Sequence, residues 1–189
     1  MPVLRINEKV PDLEVDAFYE DQIKKIKFSD YRGEWMVLIF YPADFTFVCP
    51  TELEEMAGLY DQFRSLGAEV FSVSRDTAYV HKAWHDTSPK IKKIRFPMLA
   101  DTTTKLCNEF GTYIPEEGVS FRASFIIDPD GYLKAMEMHD NSFGRSAKEI
   151  LRKLEAAKFV RDHKGNVCPA SWEPGEETIK PSMDLVGKL

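Results

Sequence analysis

Hydrophobic and polar positions change period several times along the chain, and each change marks an element. Leu13, Val15 and Ala17, then Ile23, Ile26 and Phe28, alternate loosely around Tyr19-Glu20-Asp21. That pattern predicts an N-terminal hairpin. Met36 to Tyr41 is an unbroken apolar run, the mark of a strand buried on both faces. From Pro50 to Leu66 the period becomes helical, through Leu53, Met56, Leu59, Tyr60, Phe63 and Leu66, with Gly67 as the stop. Val70, Phe71 and Val73 then predict a strand over Glu69–Arg75. A helix over Thr77–Thr87, a short strand over Pro97–Ala100 and a short helix over Thr103–Phe110 follow. Asp128-Pro129-Asp130-Gly131 is a strong turn signal and predicts a hairpin of Ala123–Ile127 with Tyr132–Met138. Ser146–Phe159 carries Ile150, Leu151, Leu154 and Ala157 on one side, as an amphipathic helix does.

Strands alternating with helices, then a hairpin and a last helix, predict an α/β fold with a central mixed sheet covered on both faces. With no repeat or linker, residues 1–160 read as one domain and residues 161–189 as a Gly/Pro-punctuated tail. A length of 189 residues, 43% hydrophobic and 30% charged, suits one soluble globular core. The net charge of −6, with no long block of either sign, argues against nucleic acid as a partner. Lys90, Lys92, Lys93 and Arg95 read as a solvated face. Met1 to Val15 has no apolar segment behind a basic start, and the longest apolar run is far too short for a bilayer. A cytoplasmic location without membrane association is therefore expected.

Three widely spaced cysteines make no disulfide framework. In a reducing compartment they are packing residues, metal ligands or reactive thiols. Cys49 stands where the buried strand passes into the long helix, the place where open α/β sheets present ligand sites. Pro50 suits a first helical position, so Cys49 falls at or just before a helix N-terminus. Free N–H groups and the macrodipole there favour a negative sulfur, and the thiolate is the nucleophile. Thr46, three residues earlier, can bring a hydroxyl to the same pocket. A cysteine in this place can equally be a small buried hydrophobe.

The flanking residues decide between these readings. Pro42, Thr46 and Cys49, followed by Pro50-Thr51-Glu52, resemble the peroxiredoxin signature Pro-x-x-x-Thr-x-x-Cys. Phe121 to Asp128 is similar to the family segment that brings in an arginine, here Arg122, and Gly144-Arg145-Ser146 to the segment with a second one. Gly165 to Trp172, with Cys168, resembles the resolving-cysteine segment of typical two-cysteine members. Pro181 to Gly187 resembles the ending of the bacterial alkyl hydroperoxide reductase type. The likeness runs over essentially the whole chain. It implies a thioredoxin-like fold with an N-terminal hairpin extension and an extended C-terminal tail.

The resemblance also implies roles. Cys49 attacks a hydroperoxide and becomes a sulfenic acid, a reversible oxidation state. Arg122 stands over the thiolate and polarises the O–O bond, Thr46 hydrogen-bonds thiolate and peroxide, and Pro42 shields the site from water. Glu52 and Arg145 hold Arg122 in place. Cys168 condenses with the sulfenic acid across a homodimer, which in the family assembles further to a decamer. A flavoprotein disulfide reductase or thioredoxin returns the electrons, and neither cofactor nor metal is implied. Members easily inactivated by excess peroxide carry a Gly-Gly-Leu-Gly insert and a C-terminal Tyr-Phe pair. Tyr113 to Gly118 and the ending Gly187-Lys188-Leu189 lack both, which implies a tail that frees Cys168 quickly.

Cys107, near Leu106 and Phe110, reads as packing. His81 and His85 have helical spacing that can bind metal, but no third ligand is evident. A thioredoxin-like reductase would need Cys-x-x-Cys, and Glu52 occupies the second position. A chaperone or signalling scaffold is the competing class, and no residue favours it over catalysis.

Overall fold

The unbroken apolar run becomes the middle of the sheet. In a computed structural model, which describes residues 4–188, β3 (Trp35–Phe40) is buried at all six positions. So is β4 (Ala68–Ser74), its parallel neighbour. Buried on both faces, such strands lose the alternation seen in half-exposed ones. β1 (Glu14–Tyr19) and β2 (Gln22–Lys27) form the expected N-terminal hairpin. Beyond β4 lies β5 (Met98–Ala100), and on the other side of β3 are β8 (Arg122–Ile127) and β9 (Leu133–His139).

The seven strands run in the order β2-β1-β5-β4-β3-β8-β9. β3, β4 and β5 are parallel, and the flanking pairings are antiparallel. This is the mixed sheet expected from the alternation of elements. The β8–β9 turn forms as its residues require. Asp128 Oδ1 accepts from the N–H groups of Asp130 (3.0 Å) and Tyr132 (2.9 Å). Gly131 takes φ +89°, a conformation that costs a side-chain-bearing residue more.

Helix α1 (Cys49–Ser65) buries Leu53, Met56, Tyr60 and Phe63 and packs on β4. α2 (Ala78–Thr87) starts at Thr77, whose side chain accepts from the N–H of Val80, and packs against β1 and β5. α3 (Lys105–Glu109) is shorter than its apolar pattern suggested. A small second sheet, β6 (Tyr113–Ile114) with β7 (Val119–Ser120), was not foreseen. Strands of two residues are too short to show a period of two.

The chain forms two compact units, residues 1–147 and 148–189. The sheet and the first three helices belong to the first. The second contains nearly all of α4 (Ala147–Asp162) and the irregular segment after it. There Val167 and Ile179 exchange backbone hydrogen bonds (2.9 and 3.0 Å), and the buried Trp172 ring lies 4.9 Å from Phe159. Among the described residues no helix is long and apolar enough to cross a membrane.

Candidate active site

Cys49 is the first residue of α1 and is fully buried. Pro50 follows it inside the first turn, as the sequence predicted, so no backbone N–H is wasted there. The loop from Tyr41 to Val48 leads into this helix from the end of β3. Arg122, the first residue of β8, reaches over from the neighbouring strand. Its Nη1 donates to Cys49 Sγ (3.2 Å) and to Glu52 Oε2 (2.9 Å). A buried guanidinium thus touches the sulfur directly.

Glu52, one turn along α1, collects the charges. Arg145 donates to Oε1 from its backbone N–H (2.7 Å) and Nε (2.9 Å), and to Oε2 from Nη2 (3.0 Å). Burial pushes the Glu52 carboxyl up, but the hydrogen bonds and charges of Arg145 and Arg122 outweigh it and hold it below the usual carboxylate range. Arg145 can come so close because Gly144 precedes it. A Cβ at Gly144 would lie 3.3 Å from Val48 Cγ1 and 3.4 Å from Glu52 Cγ. Cys49, Glu52, Arg122 and Arg145 are all no more than 6% exposed.

Thr46 sits in the loop before Cys49, half-buried, and its hydroxyl donates to the Ala43 carbonyl (2.9 Å). Its lone pairs are what it offers the pocket. Pro42, also half-buried, follows Tyr41 at the end of β3. Asp44, not singled out from sequence, anchors this loop together with His81. Asp44 accepts from the Tyr41 hydroxyl (2.7 Å) and faces His81 Nδ1 (2.7 Å), while His81 Nε2 faces the Leu99 carbonyl (3.2 Å). Burial pushes the Asp44 carboxyl up, against the pull of His81. Both nitrogens of His81 are therefore engaged, and it forms no metal pair with His85, whose Nε2 faces the Ile94 carbonyl (3.2 Å). Among the described residues Asp21, His85 and Asp86 group together, with Asp86 bonded to Lys82 (2.7 Å).

All three cysteines are free thiols. Cys168 lies in the second unit, next to the Val167–Ile179 bridge, and is half-buried. Burial raises its pKa, with Arg152 acting in the opposite sense. Cys107 is fully buried, and desolvation with the Asp101 charge pushes its thiol up to about 12. Such a thiol stays protonated and unreactive near neutrality. We expect native Cys107 to resist iodoacetamide at pH 8 and Cys107→Ala to leave the peroxide rate unchanged. Mass mapping of labelled peptides and a single-turnover assay check the two halves.

A sheet of this order, with a guanidinium-held cysteine where its central strand enters a helix, defines a thiol enzyme of thioredoxin-like fold. The family model described as "AhpC/TSA family" matches residues 6–136, and the chain belongs to that family. A second model, "C-terminal domain of 1-Cys peroxiredoxin", matches residues 156–189. Alkyl hydroperoxide reductase C of Pseudomonas aeruginosa is 47% identical over 97% of this chain and 98% of its own. The crystal structure of Enterococcus faecalis AhpC superposes with a TM-score of 0.86 at 46% identity, covering 88% of this chain and all of that one. A reduced 2-Cys peroxiredoxin of Plasmodium vivax gives 0.90 at 30% identity, over 95% and 94% of the two chains. The chain is a thiol-dependent peroxidase.

Proposed function

We propose that the chain reduces hydrogen peroxide and organic hydroperoxides with Cys49 as the attacking thiolate. The observation that carries this reading is the 3.2 Å approach of Arg122 Nη1 to Cys49 Sγ in a buried setting. A fixed cation there stabilises the thiolate and the charge that develops as the O–O bond breaks. Sulfur bonds to the terminal peroxide oxygen, and the leaving alkoxide or hydroxide takes up a proton to give alcohol or water. Thr46, its own proton held by Ala43, accepts a hydrogen bond from the peroxide hydroxyl. Pro42 keeps water from the sulfur, and Glu52 and Arg145 hold Arg122.

Cys49 sulfenic acid then condenses with Cys168 of a second subunit, releasing water and leaving a disulfide. A flavoprotein disulfide reductase or thioredoxin supplies the two electrons that reopen it. Homodimer formation is supported by β9, an edge strand with Met136 and Met138 half-exposed, since an open edge is a template for a second copy. Assembly of dimers into a decamer, and a cytoplasmic location that keeps three thiols reduced, belong to the same proposal.

The test is a non-reducing gel after one equivalent of hydrogen peroxide and a thiol quench. Wild type is expected to shift to a dimer band that both Cys49→Ser and Cys168→Ser lack. A band that survives in Cys168→Ser and vanishes in Cys107→Ala would assign the resolving role to Cys107.

A further inference from the structure

Arg122 meets two targets with one nitrogen, so the orientation of its guanidinium matters. A planar fork that rolls about its long axis loses both Sγ and Glu52 Oε2. The Nε–H controls that roll, and it donates to the main-chain carbonyl of Asn141 (3.0 Å). Asn141 also grips the arginine at its other end. Its Oδ1 accepts from the backbone N–H of Arg122 (3.1 Å), and its Nδ2 donates to the Ser120 carbonyl (3.4 Å).

The turn carrying Asn141 is itself braced. Asp140 Oδ1 accepts from the N–H of Ser142 (2.8 Å), and the rings of His139 and Phe143 lie 4.9 Å apart on either side. His139 stands opposite Arg122 in the β8–β9 register, which brings the turn to the arginine. A carbonyl for Nε could come from any residue. A side chain with an acceptor and a donor on one short planar group narrows the choice to an amide.

We infer that Asn141 is a positioning residue for the peroxidase reaction, aiming Arg122 at Cys49. It touches the arginine and acts through it. This rests on the roles proposed above for Cys49 and Arg122.

The test is a double-mutant cycle on the full-length chain, reading the second-order rate of the first oxidation of Cys49 by hydrogen peroxide, with thermal melts alongside. Lysine keeps the charge at position 122 but has no Nε–H for the Asn141 carbonyl. Asn141→Ala is expected to slow the reaction about tenfold, within the range that small misplacements of catalytic groups cause. Arg122→Lys should also be slow, and the double variant no slower than Arg122→Lys alone. Asn141→Asp, which keeps the acceptor for the Arg122 N–H but loses the donor to the Ser120 carbonyl, should recover part of the loss. Equal slowing by Asn141→Ala in both backgrounds would mean a loosened turn and overturn the inference. So would an unchanged rate in Asn141→Ala, or an Asp variant no better than the Ala variant. A full rate in Arg122→Lys would instead remove Arg122 from the reaction and the whole site reading with it.

Discussion

Cys49→Ser is expected to lower peroxide turnover on the order of 10⁴-fold or more, the scale on which removing a nucleophile acts. The serine hydroxyl keeps its proton near neutrality, whereas attack on a peroxide oxygen needs an anionic, polarisable atom. Nothing else in the first unit can substitute. Cys107 is buried and held protonated by desolvation and by Asp101. The substitution is small, so the helix start should survive, with the Arg122–Glu52 pair intact. Hydrogen peroxide consumption with dithiothreitol as reductant measures the effect, and a thermal melt checks the fold. Turnover within tenfold of wild type would assign the chemistry to another group.

Glu52→Gln should have the largest effect on stability. The carboxylate is the counter-charge to two buried guanidinium groups, and removing one partner of a buried ionic cluster costs about 3–5 kcal/mol. For a chain of this size that corresponds to a fall in Tm of about 10 °C. The pH dependence carries a sign. Because the folded-state pKa of Glu52 is depressed, its stabilisation is complete above the unfolded value of about 4.3 and is lost only as pH falls through the lower folded value. The gap between wild type and Glu52→Gln should therefore be full at pH 7 and close in strong acid. A gap that widens below pH 4 would contradict the cluster as described. Peroxide reduction should fall as well, since Arg122 loses the anchor opposite Cys49.

Much of the fold was legible because its signals are local. The apolar run of β3, the helical spacing of α1 and the Asp128–Gly131 turn each depend on near neighbours. Cys49 at a helix start followed from Pro50 for the same reason. The rest of the site is long-range. Glu52 meets Arg122 across 70 positions and Arg145 across 93, and no periodicity reports such pairings. Both arginines came from a family resemblance, and the geometry brings them to one carboxylate. Asp44 and His81 meet across 37 positions, and the helical spacing of His81 with His85 carries no sign of that contact. Asn141 lies among polar turn residues, and nothing in that composition marks the arginine it holds.

Charge inside the site is balanced while the sulfur is an anion. Two guanidinium groups face one carboxylate and, with Cys49 ionised, one sulfur anion, so these four groups together are neutral. In the cycle proposed above the sulfur gains an oxygen, and the same cations favour the ionised form of that product as they favour the thiolate. A proton shed by the oxidised sulfur is the one that the leaving alkoxide or hydroxide takes up. The pair of arginines thus lets the negative charge stay where it was while an oxygen atom is transferred, and no buried cation is left without its anion.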